Sequence, residues 1–160
     1  RPELPGQESL TRRERMELYL LALLVQGDPI VKLPILTSAI RVEEMCYPAV
    51  RMIVENLLVW CKTHPQYDPK AFALKFAKEL LPVFDEAFLW DMSEILVDAK
   101  RYDREWKKTL IELRRLHIKE TMKRLVSTMG HENASADDIS TLEDTLKALT
   151  IERAGLEKES

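Results

Sequence analysis

Glycine is scarce in this chain, and its scarcity weighs against several classes of function. Four glycines occur among 160 residues: Gly6, Gly27, Gly130 and Gly155. Phosphate-binding loops use clustered glycines so that the backbone can approach the phosphate closely. No such cluster occurs here, so the sequence supports neither a P-loop nor a dinucleotide-binding motif.

Cysteines and long apolar runs are also few. Cys46 and Cys61 are too far apart for a CxxC motif, and no signal peptide is visible, so we expect free thiols in a cytoplasmic protein. The longest apolar run, residues 18–25, is far shorter than the ~20 residues that a membrane-spanning helix needs. We interpret residues 1–10 as a polar linker cut from a longer polypeptide.

No pattern of side chains predicts catalysis or metal binding. The three histidines lie in none of the spacings used by zinc or di-iron sites: His64, His117 and His131. Asp91, Glu94 and Asp98 share one helical face, but a solvated acidic face is the simpler interpretation. We therefore predict no catalytic residue, no cofactor and no metal.

The residues that are abundant favour helices. Leu occurs 24 times against 18 for Val and Ile together, and γ-branched side chains lose less rotamer freedom in a helix. Apolar periodicity and capping signals predict helices, and no convincing strand, at residues 11–26, 30–42, 48–63, 69–81, 83–98, 102–129 and 136–153. The first helix has a capping box at Thr11 and Glu14, and Gly27 is predicted as its left-handed stop.

The last two predicted helices form a hairpin with a thin apolar seam. The seam residues of the final helix are spaced by three, four, three and seven, with Arg153 in the gap: Ile139, Leu142, Leu146, Leu149 and Leu156. The long helix offers Met122, Leu125 and Met129 to this seam. The prediction is all-α: a helical bundle (11–115), then a long helix and a C-terminal hairpin (116–160).

Charge is divided unevenly between the two arms. Residues 100–130 hold ten Lys or Arg and four acids, whereas residues 131–160 hold three and eight. Electrostatic complementarity between antiparallel arms is the simpler interpretation. The alternative is a nucleic-acid-binding module that uses the basic helix 100–124.

Two segments resemble the C-terminal helicase-binding domain of bacterial DnaG-type primases. Residues 12–29 (RRERMELYLLALLVQGDP) resemble its first helix, and residues 110–116 (LIELRRL) resemble a stretch of its long penultimate helix. The order of bundle, long helix and terminal hairpin also agrees with that family, over residues 11–153.

The resemblance implies a docking domain that has no polymerase activity of its own. Its partner would be the N-terminal region of the DnaB-type replicative helicase, and the fragment would be a monomer when isolated. The residues expected to bind the partner are Met122, Leu125, Met129, Ile139, Leu142, Leu146 and Leu149. The N-terminal domain of such a helicase, which has a similar layout, is an alternative; an enzyme with an unrecognised site is the least favoured one.

Overall fold

The computed structural model describes residues 9–130 and 135–159, which form an all-α fold without a β-strand, as predicted. Its helices are α1 (Arg12–Gln26), α2 (Pro29–Ala39), α3 (Pro48–Thr63), α4 (Pro69–Ala73), α5 (Leu81–Phe88), α6 (Ser93–Leu96), α7 (Ala99–Met129) and α8 (Ala136–Glu159). Short 3₁₀ turns lie at Val42–Glu44 and Lys78–Leu80. The chain divides into two compact units, the first ending at Leu110 and the second beginning at Ile111.

Helix α1 is the centre of the first unit. Every residue from Leu20 to Val25 is at most 1% exposed, because the helix is apolar on all sides. Its predicted capping box is confirmed: the Thr11 hydroxyl accepts the Glu14 amide at 3.1 Å, and the Glu14 carboxylate accepts the Thr11 amide at 3.0 Å. The first helix of the sequence is therefore the one that the other helices surround.

A buried carboxylate on α1 holds the start of α3. Glu17 is fully buried; it accepts the backbone amides of Cys46 and Tyr47, each at 2.8 Å, and Arg13 Nε at 3.2 Å. Tyr47 is the N-cap of α3 and has no side-chain cap of its own. Arg13 also donates to the Glu44 carbonyl. Glu17 thus holds the two residues that directly precede α3.

Two tyrosine hydroxyls contact carbonyls near the other end of α1. Tyr67 donates to the Val25 carbonyl at 3.1 Å, and Tyr102 donates to the Leu23 carbonyl. Burial raises the pKa of both hydroxyls well above the ordinary value. They consequently remain protonated donors, and they join the buried helix to two distant parts of the chain.

The residue that ends α1 is glycine because of a close approach. Gly27 has φ −96° and ψ −140°, so the prediction of a left-handed stop is wrong. A Cβ atom at this position would lie 2.1 Å from the Tyr102 hydroxyl and 2.9 Å from the Leu23 carbonyl oxygen. The space occupied by Tyr102, rather than a positive φ, excludes a side chain here.

The segment from 69 to 98 is less regular than predicted. The expected helix 69–81 ends at Ala73, and the expected helix 83–98 is divided into α5 and α6. Phe76 packs edge-on against both Phe72 and Phe84, with centroid distances of 5.1 and 5.4 Å. Pro82 lies in the first turn of α5, where proline is tolerated, so it begins a helix rather than ending one.

The last two helices are longer than predicted. Helix α7 begins at Ala99 instead of 102, because the Asp98 carboxylate accepts the Lys100 amide at 3.0 Å and caps its first turn. Helix α8 continues to Glu159 instead of 153. Ser135 caps its first turn, since the Ser135 hydroxyl accepts the Asp138 amide at 3.1 Å.

We predict that Gly27→Ala destabilises the first unit by about 1–3 kcal/mol, because the added methyl group must displace the Tyr102 hydroxyl or the backbone. Urea unfolding followed by tryptophan fluorescence measures the change. Gly155→Ala is the matched control: a Cβ there meets nothing within 4 Å, and the helical position favours Ala. Equal stability of Gly27→Ala and the wild type would contradict the packing argument.

Candidate protein-docking site

The second unit is an antiparallel pair of helices, formed by α7 from Ile111 onward and by α8. Arg114 Nε donates to Glu152 Oε1 at 2.6 Å, and Arg115 donates to the Leu156 carbonyl at 3.1 Å. Both contacts join the start of this part of α7 to the end of α8. They therefore fix the direction and the register of the pair.

The register of these two contacts predicts which seam residues oppose each other. Continued along both helices, it predicts Met122 opposite Leu146, Leu125 opposite Leu142, and Met129 opposite Ile139. All seven residues expected to bind a partner are half-buried: Met122, Leu125, Met129, Ile139, Leu142, Leu146 and Leu149. Their apolar surface is thus neither fully covered nor fully exposed.

A glutamate, rather than an arginine, fills the gap in the α8 seam. The sequence placed Arg153 between Leu149 and Leu156, but Arg153 is exposed and pairs with Glu157 at 3.5 Å. Glu152 is half-buried and receives Arg114 from α7. Sequence reasoning missed both partners of this ion pair, although the spacing of three from Leu149 and four to Leu156 fits Glu152 equally well.

The ion pair also gives the predicted charge complementarity a definite location. The Arg114 and Glu152 side chains are 20% and 38% exposed, so water screens their attraction less than it would on an open surface. Beyond the seam, α7 carries exposed Lys119, Lys123 and Arg124. This unit therefore presents an apolar seam, a clamp formed by Arg114 and Glu152 at one end, and a basic outer surface on α7.

The acidic residues considered for catalysis serve as caps and surface partners. Asp91 accepts the Ser93 amide at 3.1 Å, and Asp98 caps α7. Glu94 lies 3.7 Å from Arg101. All three carboxylates are exposed, and their contacts are those of helix termini and of a surface ion pair.

The histidines and cysteines do not converge. His64 stacks on Trp60 with a centroid distance of 3.6 Å, and His117 is half-buried beside Thr121. His131 lies outside the described residues. Cys46 is exposed, Cys61 is half-buried, and no disulfide joins the two. Within residues 9–130 and 135–159, no group of three or more His, Cys, Asp or Glu side chains could hold a metal ion.

Comparison with protein families, curated proteins and solved structures found no match to this chain. In the described part of the chain, none of the helices has the length and apolar content needed to cross a bilayer. The feature of the structure that indicates a function is therefore the geometry of the seam.

Reversing one charge of the clamp is expected to loosen the hairpin. Glu152→Arg places a cation against Arg114, and we predict faster hydrogen exchange of the α8 amides by about tenfold. Adding Arg114→Glu restores the opposite charges and should recover most of the protection. Arg153→Glu is the control, because Arg153 is exposed and its partner, Glu157, lies on the same helix. If the double variant did not recover its protection from hydrogen exchange, the clamp would not be what holds the two arms together.

Proposed function

We propose that this chain is a protein-docking domain of a bacterial DNA primase, and that its α7–α8 hairpin binds the N-terminal region of the DnaB-type replicative helicase. Such a domain would couple primer synthesis to unwinding. The chain itself would have no polymerase activity, because no pattern of its side chains predicts catalysis. Docking requires only a complementary surface.

One observation carries the proposal: the seven seam residues expected to bind the partner stay half-buried. Helices in water gain most of their stability by packing an apolar face against something else. A seam that two helices cover only in part leaves apolar surface for a third helix, in the manner of helix-in-groove recognition. The all-α order of bundle, long helix and hairpin supports the resemblance that suggested the partner.

Charged substitutions in the seam test the docking role. We predict that Leu142→Asp combined with Leu146→Asp weakens binding to the purified helicase N-terminal region by at least about 100-fold, because two central apolar contacts are lost. Isothermal titration calorimetry measures the affinity. Tryptophan fluorescence shows whether the first unit stays folded, since Trp60, Trp90 and Trp106 all lie in that unit.

Two further variants separate docking from hairpin stability. Thr145→Asp with Ala148→Asp adds the same charge at exposed positions of α8, so its affinity should stay within about twofold of the wild type. Leu142→Ala with Leu146→Ala truncates the seam while favouring the helix, and should still weaken binding by about tenfold. Unchanged affinity in both seam variants would contradict the proposal.

A second candidate, nucleic-acid binding, is favoured by the contacts of α7 in the first unit. The two acids of its first three turns face neighbouring side chains: Asp103 accepts Lys32 Nζ at 2.7 Å, and Glu105 accepts the Tyr19 hydroxyl at 2.8 Å. Five cations on the same stretch are exposed; Arg101 pairs with Glu94, and the other four are Lys100, Arg104, Lys107 and Lys108. At 100° per residue these four lie within about 100° of arc, on one side of the helix.

This second candidate predicts a characteristic salt dependence. Four phosphate contacts to single-stranded DNA should give a slope of about −3 in a plot of log affinity against log salt. Arg104→Glu with Lys108→Glu should reduce this slope by about half, as measured by fluorescence anisotropy of a labelled strand. Lys75→Glu with Lys78→Glu makes the same change of charge at other exposed sites; an equal effect there would indicate non-specific attraction.

A further inference from the structure

Large apolar side chains are concentrated on the surface of the first unit between residues 88 and 97. Leu89 is 76% exposed and Val97 83%, and Phe88 and Leu96 are each about two-fifths exposed. In one continuous helix over residues 83–98, the apolar spacing would place Phe88, Leu89 and Leu96 on the inward side. The break between α5 and α6 turns them outward instead. Exposed apolar residues that occur singly are ordinary, whereas a group of them marks an interaction site.

The backbone that carries these side chains is held firmly in place. Gln26 at the end of α1 donates to the Ala87 carbonyl at 2.8 Å and to the Trp90 carbonyl at 2.9 Å. Between the two exposed pairs, Met92 is 2% exposed and anchors the segment in the core. Trp90 packs edge-on against Tyr19, with ring centroids 5.3 Å apart. The apolar groups are thus presented on a preorganised support, which lowers the entropic cost of binding.

The segment that carries these side chains is acidic, and the first cations after it, on α7, include Arg101, which lies 3.7 Å from Glu94. Residues 79–98 contain six Asp or Glu and no Lys or Arg. Asp85, Asp91, Glu94 and Asp98 are exposed among the apolar residues. Such a surface repels nucleic acid and anionic lipid, and it attracts a cation-rich protein surface.

We propose that residues 85–98, here called the acidic–apolar face, bind an amphipathic helix of a partner protein in which Lys or Arg flank an apolar stripe. The apolar side chains of the face receive the stripe, and its carboxylates pair with the flanking cations. The face lies in the first unit and shares no residue with the seam. The inference is therefore independent of the proposed helicase docking.

A synthetic peptide tests the chemistry of the occupant. The probe is an 18-residue helix with Leu at i, i+3, i+4 and i+7 positions of one side and Lys on the other; its counterpart has Glu in place of Lys. With the full ¹⁵N-labelled chain, we expect the Lys peptide to shift the amide resonances of residues 85–98 and to bind at least about tenfold more tightly than the Glu peptide. Equal affinities, or shifts concentrated elsewhere, would overturn the proposal.

Substitutions on the face identify the surface that binds. Leu89→Ser with Val97→Ser should weaken the Lys peptide by at least about tenfold. Val31→Ser with Val59→Ser is the matched control, because these two valines are 56% and 63% exposed outside the face. Equal weakening in the two double variants would contradict the assignment.

Two further measurements distinguish the occupants. Sedimentation of the chain alone tests self-association. If the chain formed a concentration-dependent dimer, and Leu89→Ser with Val97→Ser abolished it, a second copy would cover the face. That result would overturn the partner-helix proposal. Helicase affinity should be unchanged in that same variant. The seam variants, in turn, should leave peptide binding intact, so the failure of either proposal can be recognised separately.

Discussion

The burial of α1 over residues 17–25, where only Tyr19 is half-buried, is the constraint on which the first unit depends. The polar groups of such a segment must be paired within the protein. Glu17 accordingly accepts the amides of the two residues before α3, and Tyr67 and Tyr102 donate to carbonyls near the other end of α1. Because each of these contacts reaches a different part of the chain, the burial of one helix positions α3, the segment around Tyr67 and the start of α7.

The second unit follows a different principle, because it has too few helices to enclose its apolar side chains. Its seam is half-buried, and a clamp between Arg114 and Glu152 fixes its register. A pair of charges of this kind contributes specificity of alignment more than net stability. The two units thus offer two kinds of surface: an apolar seam in the hairpin, and apolar side chains set among carboxylates between α5 and α6.

Much of the fold could be predicted from short-range signals. The capping box of α1 and the range of α3 depend on residues within a few positions of each other, and both are confirmed. The predicted helices 69–81 and 83–98 were wrong: the first ends at Ala73, and the second is divided into α5 and α6. Apolar periodicity cannot distinguish a residue that packs inward from one that a break in the helix turns outward.

The sequence by itself determined the all-α class, the helix order and the apolar seam, because helix propensity and periodicity are local properties of the chain. Only the tertiary structure decided that Glu17 holds the residues before α3, that Tyr102 makes Gly27 necessary, and that Glu152 rather than Arg153 enters the seam. Each of these depends on a contact between residues far apart in the chain, and such contacts exist only once the helices have packed.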